Sequence, residues 1–311
     1  MSIVKSKPKI LEANILYLVI AILLITIGGI AQQREIFSGL LITEYILVLA
    51  PVLIFLKVRG YSLKQVLKLN KLSFKEVLLI PAITLLAYPI GAFLNALMMI
   101  IISFFGEIKA PPLPTPSTGG SYLIGLLIIA ITPGICEEVM FRGFIMKAYG
   151  NKGYKKAIFI SAILFGIFHF NLQNLLGPIF LGVLFGFMVY RTNSLIAGII
   201  GHATNNAFAW TLTYLVSKLN IPIEQTQEAS IEISETMSIV ITTIVLLGIA
   251  FFTSILAYYL YKKLPNRRVM MLDSENEKDM RNDRESKGII KYIPIIITVI
   301  GFIVLNVLVY I

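Results

Sequence analysis

The sequence predicts an all-α fold, a polytopic membrane helical bundle with an eight-span body and a ninth, C-terminal span. Three observations carry that reading. Of 311 residues, 57% are hydrophobic and only 14% are charged, too few to clothe a water-soluble domain. Nine apolar runs have about the length that crosses a bilayer. Lys and Arg collect in alternate connections between those runs, as the positive-inside rule requires.

The first run, 13–31, is long enough to span and lacks a short apolar core followed by a small-residue cleavage site, so it is read as a retained helix rather than a signal peptide. Runs at 39–56, 77–104 and 121–146 follow, the last two long enough to tilt. Between the second and third, "SLKQVLKL" at 62–69 reads as a basic amphipathic segment on the inner membrane surface. "PPLPTPSTGG" at 111–120 holds too many prolines for a helix and reads as an outer connection. The fifth and sixth runs, 156–171 and 174–190, are short and joined by the polar "NLQN" at 171–174. The seventh and eighth lie at 194–216 and 237–261, and the ninth, at 290–310, follows a mixed-charge stretch and reads as an appendage. The chain thus divides into N-terminal spans with the inner-surface segment (1–120), a core (121–216), the eighth span (217–263), a charged cytoplasmic loop (264–289) and the ninth span (290–311).

With the N-terminus cytoplasmic, the inner segments hold 23 of the 27 Lys and Arg residues, against three outside (Arg34, Lys109 and Lys218) and Arg142 within a span. This distribution predicts an integral protein of the cell membrane with an inside N-terminus. It also accounts for the net charge of +10 without nucleic acid, because the basic residues are spread among loops. A single cysteine, Cys136, excludes an internal disulfide and a cysteine-rich zinc module.

Ionised side chains inside a span cost several kcal/mol unless they pair, line a watery cavity or perform chemistry. "EEVMFR" at 137–142 places Glu138 and Arg142 four residues apart, on one helical face, and turns Glu137 about 100° away. The arginine satisfies one carboxylate and leaves the other available. Both histidines of the chain also lie in apolar runs. In "FGIFH", Phe165 and His169 share a predicted helical face; in "HATNN", His202 and Asn206 do. Counted at about 1.5 Å per residue from the inner helix ends, Glu137, His169 and His202 fall in one layer between the inner surface and the midplane. Cys136 is read as a small packing residue, Glu44 as interfacial near the outer end of the second span, and Asn205 as facing away from Asn206.

These three stretches, in this order, resemble the EExxxR, FxxxH and HxxxN motifs of the CPBP (ABI) intramembrane proteases, a family that includes the type II CAAX prenyl endopeptidases and relatives that process bacteriocins or confer self-immunity. The resemblance covers roughly 121–216. It implies an endopeptidase in which Glu137 is the general base for water, His169 orients and polarises that water, His202 and Asn206 donate to the oxyanion, and Glu138 with Arg142 supports the site. The expected substrate is a peptide or protein, with or without a lipid modification, reached among membrane lipids from the cytoplasmic side. No cofactor is expected; the alternative is zinc held by Glu137, His169 and His202. Two other readings of the buried groups are a proton-coupled transporter and a non-catalytic immunity or scaffold protein.

Overall fold

The computed structural model describes residues 7–109, 114–116, 118–219, 235–267 and 288–310. Among them every regular element is helical. Nine helices correspond to the nine apolar runs: α1 (Ile10–Arg34), α2 (Ile36–Val58), α4 (Phe74–Ser103), α5 (Gly119–Lys152), α6 (Tyr154–Ile167), α7 (Leu176–Thr192), α8 (Leu195–Lys218), α9 (Glu235–Lys262) and α10 (Ile289–Tyr310), with a short α3 (Leu63–Leu67) between α2 and α4. Six of them, α1, α2, α4, α5, α9 and α10, are long and apolar enough to cross a membrane. Residues 268–287 of the charged stretch expected at 264–289 and part of the proline-rich connection lie outside the described residues.

Local chemistry sets the helix ends. Ser73 caps α4 in a reciprocal box with Glu76. Thr118 caps α5 through Ser121. Glu35 breaks α1 from α2 in an extended conformation, and its carboxylate accepts from the Phe37 and Ser38 amides. Ser62 caps α3, which ends at Lys68 in the left-handed region (φ 47°). The amphipathic segment expected along 62–69 is therefore one short turn of helix. Its Val66 and Leu67 are buried in the main core rather than laid on lipid.

Two ends of the bundle can be told apart by their hydrogen bonds. At the Lys- and Arg-rich end, Asn70 donates to the Asn193 carbonyl and Arg191 to those of Lys262 and Leu264, while Asn14 donates to the Lys291 carbonyl. At the opposite end, Asn95 donates to Asn174, Gln173 to the Lys109 carbonyl, and Ser217 to the Pro116 carbonyl.

The last helix is more than an appendage. α10 packs along α1, and Asn306 reaches the turn between α6 and α7, where its Oδ1 accepts from the Leu172 amide at 2.7 Å. Tyr310 donates to Asn171 in the same turn. The α6–α7 pair is short: 14 and 17 residues rise about 21 and 25 Å, less than a hydrocarbon core of about 30 Å. Its turn therefore sits below the ends of its longer neighbours and leaves a recess there.

Candidate active site

Six helices, α2 and α4 to α8, and the α6–α7 turn line the recess. α5 contributes the paired glutamates from a short regular stretch, Thr132–Glu138, flanked by wider i→i+5 turns at Leu126–Ile131 and Val139–Ile145. Such widened turns are rare and concentrate at functional sites. Close approach of α8 to α5 needs Gly134, where a Cβ would stand 3.1 Å from the Ala203 nitrogen.

Glu138 and Arg142 form the foundation. Their side chains are essentially inaccessible and lie 2.8 Å apart. The guanidinium sits over the Phe165 ring, 4.4 Å from its centre, with Phe141 and Phe185 at 6.0 and 5.7 Å. A planar, weakly hydrated cation suits that aromatic cage. The oxygen of Glu138 that meets Arg142 also accepts from His202 Nδ1 at 3.1 Å. Its second oxygen fits against Gly198, where a Cβ would come within 2.4 Å.

His202 is thereby oriented from beneath. Phe185 stacks on its ring at 5.7 Å between centres and Phe165 meets it edge-on at 5.6 Å. Its Nε2 points to Glu137, 3.7 Å from that carboxylate. Glu137 turns away from the Arg142 pair and lines the cavity, as the helical spacing anticipates.

His169 departs from the expected helical face. α6 ends at Ile167, and His169 lies in the following turn, just before Phe170 at a positive φ of 49°. Gly166 and the polar 171–174 stretch end the helix sooner than the apolar run suggests. His169 Nδ1 lies 2.9 Å from the Phe165 carbonyl. A carbonyl only accepts, so Nδ1 carries the proton, and the neutral ring's lone pair is on Nε2. The neighbouring Leu164 carbonyl accepts from the Tyr17 hydroxyl at 2.8 Å and from the Phe168 amide, and the Gly166 and Ile167 carbonyls accept from the His169 and Phe170 amides, so the carbonyls of the last turn are satisfied.

Asn206 follows His202 by one helical turn and lines the same cavity, with one amide hydrogen given to the Ile129 carbonyl at 3.2 Å. Asn205, expected to face elsewhere, lines it too and donates to Asn206 at 3.1 Å. The larger departure is Glu44. It is only 7% exposed and lines the same cavity as Glu137. Sequence reasoning missed it because its neighbour lies on another helix; the available signal was one carboxylate in the apolar "LITEYILVL". Cys136 is fully buried in the main core and does not line the cavity.

The cavity holds about 400 Å³, ample for a peptide segment with its polar groups converging at one side. Its other walls come from Leu40, Asn95, Pro114, Asn174 and Thr213. All belong to the bundle end opposite the Lys- and Arg-rich loops. The shortness of the α6–α7 pair leaves the recess at that end. Among the described residues no group of three or more His, Cys, Asp or Glu side chains is placed to hold a metal ion.

Residues 119–208 match a family model described as "Type II CAAX prenyl endopeptidase Rce1-like". A relative from Bacillus subtilis (strain 168), named "Putative membrane peptidase YdiL", is 33% identical over 84 residues, 27% of this chain and 34% of that protein. The chain thus spans about a third of the length of the curated relative it matches. No solved structure matches the chain significantly.

Proposed function

We propose, from the premise that the core at 119–208 is that of a CPBP-family protease, that the protein is an intramembrane endopeptidase working by glutamate-activated water. The observation that carries this reading is the convergence of Glu137, His169, His202 and Asn206 on one recess inside a membrane bundle. An isolated structural ion pair has no need of them.

In the proposed reaction a water between Glu137 and His169 Nε2 attacks the peptide carbonyl. Glu137 takes one water proton while the imidazole lone pair accepts a hydrogen bond from the other, aiming the oxygen. The new oxyanion is met by the second amide hydrogen of Asn206 and by His202, which Glu138 holds in place through Nδ1. Glu137 then passes its proton to the amine as the C–N bond breaks. Arg142 and Glu138 fix the donors in advance and take no part in proton transfer. We propose that no metal participates.

The mouth of the recess, combined with the charge asymmetry, leads us to propose that substrate is reached from the non-cytoplasmic side of the cell membrane, with the N-terminus inside. Peptide or protein segments exposed there are the proposed substrates; a lipid modification is not required by the recess.

The test is purified protein in sealed vesicles, oriented by a tag on the N-terminus. A panel of leader peptides and prenylated CAAX-type peptides is supplied from one face at a time, and products are read by mass spectrometry. Cleavage is expected with peptide on the face opposite the N-terminus, and it persists after exhaustive dialysis against a chelator. Loss of activity that zinc alone restores would move Glu137, His169 and His202 to ligand roles. Cleavage only from the N-terminal face would overturn the proposed side.

A further inference from the structure

We propose that Glu44 is a positioning residue of this site, holding the Glu137 carboxylate across the recess through a carboxyl–carboxylate hydrogen bond. Its catalytic consequence rests on the peptidase reading above; the contact itself does not. Glu44 lies on α2, outside the segment 119–208 that matches the family. α2 packs against α5 at the level of Thr132–Glu138, and Tyr45 beside it meets Thr132 at 3.5 Å.

Glu44 is 93% removed from solvent and lines the same cavity as Glu137. Oε2 of Glu44 and Oε2 of Glu137 are both buried without a hydrogen-bond donor. The other titratable groups lining the recess are Tyr88 on α4, His202 on α8 and His169 in the α6–α7 turn, with Cys136 behind its wall on α5. Among the described residues no Lys or Arg forms an ion pair with Glu44.

Two carboxylates in contact inside an apolar bundle repel strongly when both are charged, and the stable arrangement has one proton between them. With that proton on Glu44, its O–H donates to Glu137. One oxygen of Glu137 is then pinned from the α2 side while the carboxylate stays ionised, able to accept a proton from water. Glutamine reproduces this state, since its amide N–H₂ is a donor of similar shape that carries no charge. Alanine and leucine remove the donor.

The experiment compares Glu44→Gln, Glu44→Ala and Glu44→Leu in the full-length purified protein, with a peptide that the wild type cleaves. Glu44→Gln should keep kcat within about threefold of wild type, and the Ala and Leu variants should lose about tenfold or more in kcat at an unchanged KM. An alanine variant with wild-type kcat overturns the proposal. So does a glutamine variant as impaired as the alanine one, because charge rather than the donated hydrogen bond would then matter. Melting temperatures of Glu44→Ala, Glu137→Ala and the double variant supply a readout independent of catalysis. The single shifts should be non-additive, and additive shifts would remove the contact. If wild-type protein cleaves nothing, the peptidase reading fails while the thermal cycle still decides the pair.

Discussion

Arg142 is among the largest fully buried side chains of the protein, and its surroundings decide what its loss would do. Glu138 shares one oxygen between Arg142 and His202, so removing the arginine leaves a buried carboxylate with a single partner. Breaking one member of such a pair costs about 3–5 kcal/mol, whereas replacing both with apolar side chains of similar volume is often nearly neutral. Arg142→Met should therefore lower the melting temperature sharply. The double variant Glu138→Leu, Arg142→Met should recover most of that loss yet stay inactive, because His202 loses its support; recovery of activity would contradict the supporting role. This pair was legible in the sequence because a four-residue spacing alone sets it. Glu44 was not, since only the packing of α2 on α5 brings it to Glu137. Asn205 was likewise misjudged from an ideal helical wheel, although the adjacent Asn206 holds it to the same wall.

At the level of elements, apolar length located all nine helices that correspond to the spanning runs, but it misplaced the end of α6. That helix stops at Ile167, and His169 is held by its own Nδ1 bond and by the geometry of the turn rather than by a helical face. α10 supplies the external brace. Asn306 is 5% exposed and accepts from Leu172 while donating to the Phe302 carbonyl of its own helix. A sequence reading had no means to see this, since the contact joins segments far apart in the chain. Asn306→Leu keeps the apolar character of α10 and deletes the acceptor. It should reduce kcat by about tenfold or more with little change in KM, because His169 is displaced while the recess keeps its shape. Asn306→Asp, which retains an acceptor for the Leu172 amide, should be the milder variant. Equal loss in both, or none in either, would mean that α10 does not position the turn.

On the scale of the whole molecule, the bundle separates a basic end tied by backbone acceptors from an opposite end where the short α6–α7 pair opens a recess. The composition anticipated an all-helical bundle with apolar helices long enough to span, because that follows from the bilayer as solvent. It could not place the mouth of the site: residue counts along single helices give depth, while an opening depends on which neighbours are short. The central proposal is that Glu137 is the base that activates water within this recess. The most direct measurement is turnover of the best peptide by wild type and by Glu137→Gln, matched for melting temperature in the same oriented vesicles. Glu137→Gln is expected to fall by about 10²-fold or more in kcat while still binding peptide. Turnover by Glu137→Gln at the wild-type rate would contradict it.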